Sequence, residues 1–153
     1  MRILDDLDAL PGLTGDELGL SDWLEIDQER VDRFADATGD HQWIHIDQAR
    51  AATESPFKTT IAHGFLTLSL VSALLRSVMN PVGLRFAINY GLNRVRFPAP
   101  VPSGSRVRGR VKVSAVESVA DAIQVTWQIT IEREGGDKPC CVAEWLVRYY
   151  PAP

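Results

Sequence analysis

The chain has 153 residues, of which 45% are hydrophobic and 24% charged, and its net charge is −4. This length predicts a single domain over residues 1–153 that can bury enough apolar surface to fold without disulfides or a bound metal. The ordinary apolar and charged fractions argue against a disordered chain. The acidic balance, together with the lack of an aromatic-rich basic motif, argues against a nucleic-acid partner.

The expected location is the cytoplasm, without a membrane partner. The segment MRILDDLDALPG is acidic where a secretory signal would be basic. The longest apolar stretch, residues 65–79, is shorter than the ~20 residues of a typical membrane span and contains serine and threonine. The two cysteines, Cys140 and Cys141, are adjacent, which suits a reducing compartment and forms no CxxC zinc motif.

Charge is distributed unevenly along the chain. Residues 1–36 contain eleven acidic and three basic side chains, whereas residues 76–112 contain seven arginines, one lysine and no acid. Such a basic block can attract an anionic ligand. The alternation of basic residues with valine and glycine over residues 106–113 is equally typical of a strand with one solvated face. Charge alone favours the solvated strand.

The first predicted helix covers residues 27–38, with Asp27 as its N-cap and Gly39 at its C-terminal end. The preceding residues 20–26 alternate loosely, as in a short strand. Asp47 is expected to cap a short helical turn that reaches residue 52, and residues 53–60 have the composition of a loop.

A second helix is predicted over residues 62–79. Its apolar residues cover most of the circumference, which is typical of a helix buried on most sides. The Asn80-Pro81 pair and Gly83 are expected to end it.

The remaining chain predicts four strands, at residues 85–97, 105–117, 122–133 and 140–150, which are rich in Val, Ile, Thr, Tyr and Trp. The links between them are short and contain proline, glycine or aspartate, so an antiparallel meander is expected. One buried helix with a sheet of long strands wrapped on it is an α+β fold.

The densest group of polar side chains is Gly39-Asp40-His41-Gln42-Trp43-Ile44-His45. On one helix, Asp40 and His45 would point about 140° apart, but in a turn they can converge. A carboxylate and an imidazole that face one water form an acid/base pair for neutral pH. Alternatively, Asp40 is a helix cap and His45 a core histidine.

A second candidate group, Ala62-His63-Gly64-Phe65, opens the buried helix. Backbone N–H groups at a helix start have no intrahelical acceptor, and a glycine there lets a ligand approach them. Such amides can stabilise a carbonyl oxygen that gains negative charge. Alternatively, Gly64 only permits close packing and His63 only forms a local hydrogen bond.

These segments resemble those of the MaoC-like dehydratases, also called R-specific enoyl-CoA hydratases, and in particular a nodulation-protein-N-like subgroup. The family motif G-D-x-N-P-x-H is matched at Gly39, Asp40 and His45. The sequence has Gln42 and Trp43 where the family commonly has Asn and Pro, and the subgroup has Gln-Trp. The segments IAHGFLTLSL and NYGLNRVRFPAPVPSG extend the resemblance over roughly residues 21–110.

The resemblance implies a hot-dog fold, a homodimer and an acyl-CoA substrate. It implies that Asp40 and His45 hold the water that adds to a trans-2-enoyl thioester, giving the (R)-3-hydroxyacyl product. The amide of Gly64 is implied as the oxyanion donor. The enzyme would then be a hydro-lyase of fatty acid metabolism that needs no metal and no cofactor, since CoA is part of the substrate.

Further residues are candidates for binding this substrate. The basic block suggests Arg94 and Arg96 as contacts of the CoA phosphates. The other candidate substrate contacts are Gln42, His63, Tyr90 and Asn93.

Two other functions remain open. A hot-dog thioesterase often uses a carboxylate on or beside the central helix, but residues 63–79 contain no Asp or Glu. A non-catalytic acyl-binding or assembly subunit would keep the fold without the chemistry.

Overall fold

The computed structural model describes residues 2–4 and 7–153, and it consists of helices packed on an antiparallel sheet. The helical segments are a 3-10 helix (Leu7–Leu13) and the α-helices α1 (Gln28–Thr38), α2 (Trp43–Ile46), α3 (Gln48–Glu54), α4 (Gly64–Ser69) and α5 (Val71–Val78). The strands are β1 (Arg2–Leu4), β2 (Glu17–Leu20), β3 (Leu24–Ile26), β4 (Met79–Pro81), β5 (Leu84–Arg96), β6 (Ser105–Val119), β7 (Ala122–Arg133) and β8 (Cys141–Pro151). No helix in this part of the chain is long and apolar enough to cross a membrane.

The caps predicted for the first helices are present. The Asp27 side chain accepts a hydrogen bond from the Arg30 amide, and Gly39 ends α1 in the left-handed conformation, with φ of 76°. Asp47 accepts likewise from the Arg50 amide and begins α3. These caps satisfy terminal groups that no intrahelical bond reaches, so the helix ends are confirmed.

The single helix expected over residues 62–79 is in fact two, α4 and α5, which meet at Leu70. The hydroxyl of Ser69 donates to the carbonyl of Leu66 at 2.7 Å, and the Leu70 amide bonds to Thr67, three residues back. A side chain that competes for helix carbonyls tightens or bends a helix. The expectation of burial on most sides is confirmed, because Leu66, Leu70, Leu74 and Val78 are all buried. Exposure is confined to one stripe of the two helices, on which Phe65 is 72% exposed.

The main sheet has the strand order β2-β6-β7-β8-β5, and β3 also pairs with β6. The predicted meander holds for β6, β7 and β8. It is wrong for β5, which pairs with β8 rather than with its neighbour in sequence, β6. The link 97–104 contains three prolines and spans the two strands that lie between β5 and β6, where a hairpin would need only a tight turn.

This link also positions the start of α4. Val101 accepts from the Ala62 amide at 2.8 Å, and the Ser103 amide donates to Thr60 at 2.9 Å. Pro102 forms a bridge with Ile61. Residues 60–62 are therefore fixed as a short extended segment directly before His63 and Gly64.

The outer face of the sheet explains three of the eight basic residues of the basic block. Arg108 and Arg110 pair with Glu132 on β7, Arg110 also pairs with Glu17, and Arg106 pairs with Glu134. These partners lie across strands, where residues of like face are neighbours. The solvated-strand interpretation is therefore supported for these three arginines.

Strand β5 forms one edge of the sheet and is exposed along most of its length. Its register against β8 shifts three times, between Leu84 and Phe86, between Asn89 and Gly91, and between Leu92 and Arg94. Tyr90 and Asn93 are extra residues at two of these bulges. A bulge re-aims the side chains around it, so strict alternation does not predict where they point.

Candidate active site

Three segments meet at one end of α4: the turn after α1, the short helix α2 and the extended residues 60–63. They bring together Asp40, His45, His63 and Gly64. Asp40 lies in the turn before α2 and His45 inside α2, so the two converge rather than lie on opposite helix faces. Ligand atoms of Asp40, His45 and His63 all lie within 4.8 Å of one another.

The imidazole of His45 is 7% exposed and has a fixed tautomer. Its Nδ1 is 2.7 Å from the carbonyl oxygen of Ile61. A carbonyl oxygen only accepts, so Nδ1 carries a hydrogen and donates. In the neutral ring Nε2 then has a free lone pair, which can take a proton from water.

The backbone of His45 is held by two residues that the sequence did not indicate. The Gln28 side chain donates to the His45 carbonyl at 2.7 Å and also to Asp32. The buried hydroxyl of Thr60 donates in turn to the Gln28 amide oxygen. A glutamine in the first turn of a helix is usually solvated, so its sequence position carries no signal of this role.

His63 is 3% exposed and contacts both members of the predicted pair. Its ring stacks on that of His45, with centroids 3.7 Å apart. Its Nε2 lies 2.9 Å from the backbone oxygen of Asp40 and therefore donates to it. The same nitrogen is 4.0 Å from the Asp40 carboxylate.

The carboxylate of Asp40 is the exposed member of the group, since its side chain is 54% accessible. One of its oxygens accepts a long hydrogen bond, 3.4 Å, from the Gln42 amide. The carboxylate therefore stands at the solvent side of two buried imidazoles. This arrangement gives a bound molecule access to Asp40.

Beside His45 lies a cavity of about 290 Å³ with a mostly apolar lining that includes Gly64, Thr67, Phe97 and Cys140. A Cβ on Gly64 would approach the Phe97 ring to 3.2 Å. The glycine therefore permits close packing against Phe97, and its amide lies in the first turn of α4. Both predicted roles of Gly64 thus remain compatible with the site.

The stacking of the two histidines does not favour a shared metal ion. A metal binds imidazole along the lone pair, in the plane of the ring. The rings of His45 and His63 are stacked at an interplanar angle of 27°, so an ion in the plane of one lies outside the plane of the other. The absence of a metal remains a prediction.

The other predicted substrate contacts lie apart from this cavity within one chain. Arg94 and Arg96 line a separate cavity on the sheet with Glu144. Tyr90 lines another, against α4 and α5, and its ring is 3.5 Å from the Arg148 guanidinium. Two exposed side chains, those of Gln42 and Asn93, line none of the cavities described. Their roles in binding stay predictions.

Comparison with known proteins gives the family. The model of the MaoC-like domain matches residues 10–134. The chain belongs to the MaoC-like dehydratase family. It is 53% identical over 150 residues to 3-hydroxyacyl-thioester dehydratase Z of Mycobacterium tuberculosis, covering 97% of this chain and 99% of that protein. It is 49% identical over 139 residues to nodulation protein N of Rhizobium leguminosarum bv. viciae, covering 90% of this chain and 86% of that protein.

Solved structures of hydratases have the same fold as this chain. The R-hydratase PhaJ1 from Pseudomonas aeruginosa matches with a TM-score of 0.72 at 27% identity, covering 90% of this chain and 82% of that one. The (R)-hydratase from A. caviae matches with a TM-score of 0.68 at 27% identity, covering 92% of this chain and 96% of that one. These matches confirm the predicted hot-dog fold. The family and the hydro-lyase class predicted from the motif are also confirmed.

His45 in the site and His41 outside it are expected to show opposite shifts in pKa within one molecule. Burial is the main cause that lowers the pKa of His45, whereas the hydrogen bond to Asp36 raises the pKa of the exposed His41. In an NMR titration, His45 is expected to titrate below the ordinary value of about 6.5 and His41 above it.

Folded His45 then binds a proton more weakly than the unfolded chain does. Its contribution to stability is present above the unfolded pKa and is lost as the pH falls through the folded pKa. The control variant Asp36→Asn should return only His41 to its ordinary range. A His45 that titrates above about 6.5 would contradict the buried, neutral ring.

Proposed function

We propose that the protein is an R-specific enoyl-CoA hydratase, which adds water to trans-2-enoyl-CoA to give (R)-3-hydroxyacyl-CoA. The observation that carries the proposal is the convergence of Asp40 and His45, with ring nitrogen and carboxylate oxygen within 4.8 Å. His45 lines a mostly apolar cavity, and Asp40 stands at the exposed side of the pair. One water can bridge groups at this separation, because each of its hydrogen bonds spans about 2.8 Å. The names of the relatives support the same chemistry.

In the proposed reaction the water oxygen forms a bond to C3 while a proton is added at C2. Asp40 and His45 orient the water, take its proton and return one to C2. The free Nε2 of His45 suits this role, because burial lowers the pKa of the ring and keeps it neutral. The two reacting groups thus need no metal and no redox cofactor.

Negative charge develops on the thioester oxygen during the addition. The amide of Gly64 lies in the first turn of α4 and lines the cavity beside His45, which supports its proposed role as oxyanion donor. Removing one such donor costs about 3–4 kcal/mol of transition-state stabilisation in other enzymes.

Arg94 and Arg96 remain the proposed contacts of the CoA phosphates. In contrast to Arg106, Arg108 and Arg110, they form no ion pair with any described residue. Two guanidinium groups thus share a cavity with one carboxylate, Glu144, which leaves a positive balance for an anion. A cytoplasmic location fits this substrate and stays a prediction.

The decisive experiment is incubation with crotonyl-CoA, followed by loss of absorbance of the enoyl thioester. Hydration removes the conjugated double bond and supports the proposal. Release of free CoA thiol from a saturated acyl-CoA would support the thioesterase instead. Binding of acyl-CoA without either reaction would indicate a non-catalytic subunit.

We expect Asp40→Asn and His45→Gln each to lower kcat by about 10²–10⁴-fold, because both side chains act on one water. When two residues act together on one step, replacing either removes most of their joint contribution to kcat. The kcat of the double variant should therefore be little lower than that of either single variant. His41→Gln is the matched control, since His41 lies between them in sequence but is exposed and bonded to Asp36. Near-full turnover in either single variant would show that the pair is assigned wrongly.

Gly64→Val should lower kcat by about 10²-fold while changing the binding of a saturated acyl-CoA less, because a displaced carbonyl misses the amide. The new side chain also meets the Phe97 ring, so Phe97→Ala is introduced alone and together with Gly64→Val. If Phe97→Ala restores the turnover of Gly64→Val, then Gly64 serves packing only. Thermal melting of the same samples separates lost stability from lost chemistry.

We propose a homodimer joined through β5. The outer edge of this thirteen-residue strand pairs with no described strand, and it exposes Phe86, Ile88, Tyr90 and Leu92. A long apolar edge of this kind is a template for pairing with another chain.

Sedimentation equilibrium at micromolar concentration should give twice the chain mass of 16.9 kDa. Leu92→Lys on β5 should shift the mass toward one chain. Leu20→Lys is the control, because Leu20 is similarly exposed on the opposite edge of the sheet. A wild-type mass of one chain would refute the dimer.

A further inference from the structure

His63 contacts both groups that the proposed reaction uses. We infer that His63 is a positioning residue, which fixes the carboxylate of Asp40 and the imidazole of His45 relative to each other. This inference rests on the proposed function, since it assigns His63 a role in that reaction. It differs from the substrate contact predicted for His63, because the ring is buried beneath the pair.

The first contact fixes Asp40 through its backbone. Nε2 of His63 donates to the Asp40 carbonyl at 2.9 Å, across 23 residues of sequence. Among the described residues, the carboxylate accepts only the long hydrogen bond from the Gln42 amide, and its side chain is more than half exposed. Its location is therefore set by the turn that His63 holds, rather than by partners of its own.

The second contact fixes the plane of the His45 ring. The bond from Nδ1 to Ile61 leaves the imidazole free to swing about that bond. The His63 ring covers one face of it at 3.7 Å, and Phe34 supports His63 in turn at 5.0 Å. The stack thus limits the direction in which Nε2 of His45 points.

The unsatisfied nitrogen of His63 shows that packing alone does not explain this residue. Its Nδ1 is buried and has no hydrogen-bond partner among the described residues. A buried polar atom without a partner costs free energy, which an apolar ring of the same shape would avoid. Histidine is suited to this position because its flat ring stacks on His45 and its Nε2–H donates to the Asp40 carbonyl.

Two variants separate these contacts. His63→Phe keeps a flat ring against His45 but cannot donate to Asp40, whereas His63→Gln keeps an amide donor without the ring. Each is expected to lower kcat for crotonyl-CoA by about 10–100-fold, as for residues that orient catalytic groups, with KM nearly unchanged. Leu74→Ala, on the buried face of α5 away from the pair, controls for lost stability and should keep kcat.

A double-mutant cycle tests the coupling to Asp40. If His63→Phe acts by misplacing Asp40, it should change kcat less than about 3-fold when Asp40→Asn is already present. A merely structural role predicts that the two losses multiply. The inference would be overturned if the kcat losses of His63→Phe and Asp40→Asn multiplied in the double variant. It would also be overturned if both His63 variants kept a near wild-type kcat.

The histidine NMR spectrum gives a readout that does not depend on activity. The chain has only three histidines, and two of them form the stack. Nitrogen shifts should assign the Nδ1–H form to His45 and hydrogen at Nε2 to His63. His63→Gln should shift the ring signals of His45 by loss of the ring current, and those of His41 should stay in place.

The two readouts separate the possible failures. If the wild-type protein hydrates no enoyl-CoA but His63→Gln moves the His45 signals, the proposed function is wrong and the stack stands. Unmoved His45 signals would refute the positioning of that ring whether or not the enzyme is active.

Discussion

The site depends on a short segment, residues 60–62, whose backbone is bonded on both sides. Ile61 donates to Ile44 in α2 at 3.0 Å, and Ala62 donates to Val101 in the link at 2.8 Å. The carbonyl of Ile61 then accepts from the His45 ring. One extended segment thus fixes the distance from α2 to α4 and selects the tautomer of the buried imidazole. The link from β5 to β6 has to cross the sheet for this arrangement to exist.

Local chemistry made much of this predictable from the sequence. Asp27, Gly39 and Asp47 define helix ends by bonds within four residues, and such signals are present in any short window of sequence. The strands of alternating or β-branched residues were also predicted close to their observed ends. The closeness of Asp40 and His45 was predictable as well, because the motif places both residues within one turn and the helix that follows it.

Contacts between distant segments were not predictable. The pairing of β5 with β8, and the contact of Gln28 with His45, depend on how remote parts of the chain meet. The break at Leu70 arises from one serine hydroxyl, which composition alone does not distinguish from a solvated one. The basic block was similarly ambiguous, because Glu132 and Glu134 become its partners only when the register of β6 and β7 is known.

The two edges of the sheet differ in length and shape. β2 has four residues and a register shift between Glu17 and Gly19, and β3 beside it has three residues. Short edges resist addition of another strand, whereas β5 presents thirteen residues even though its own register against β8 shifts three times. Each molecule therefore has one end at which a sheet can grow and one end at which growth stops. Joining two long edges leaves only short edges outside, so pairing through β5 disfavours growth of the sheet into open fibrils.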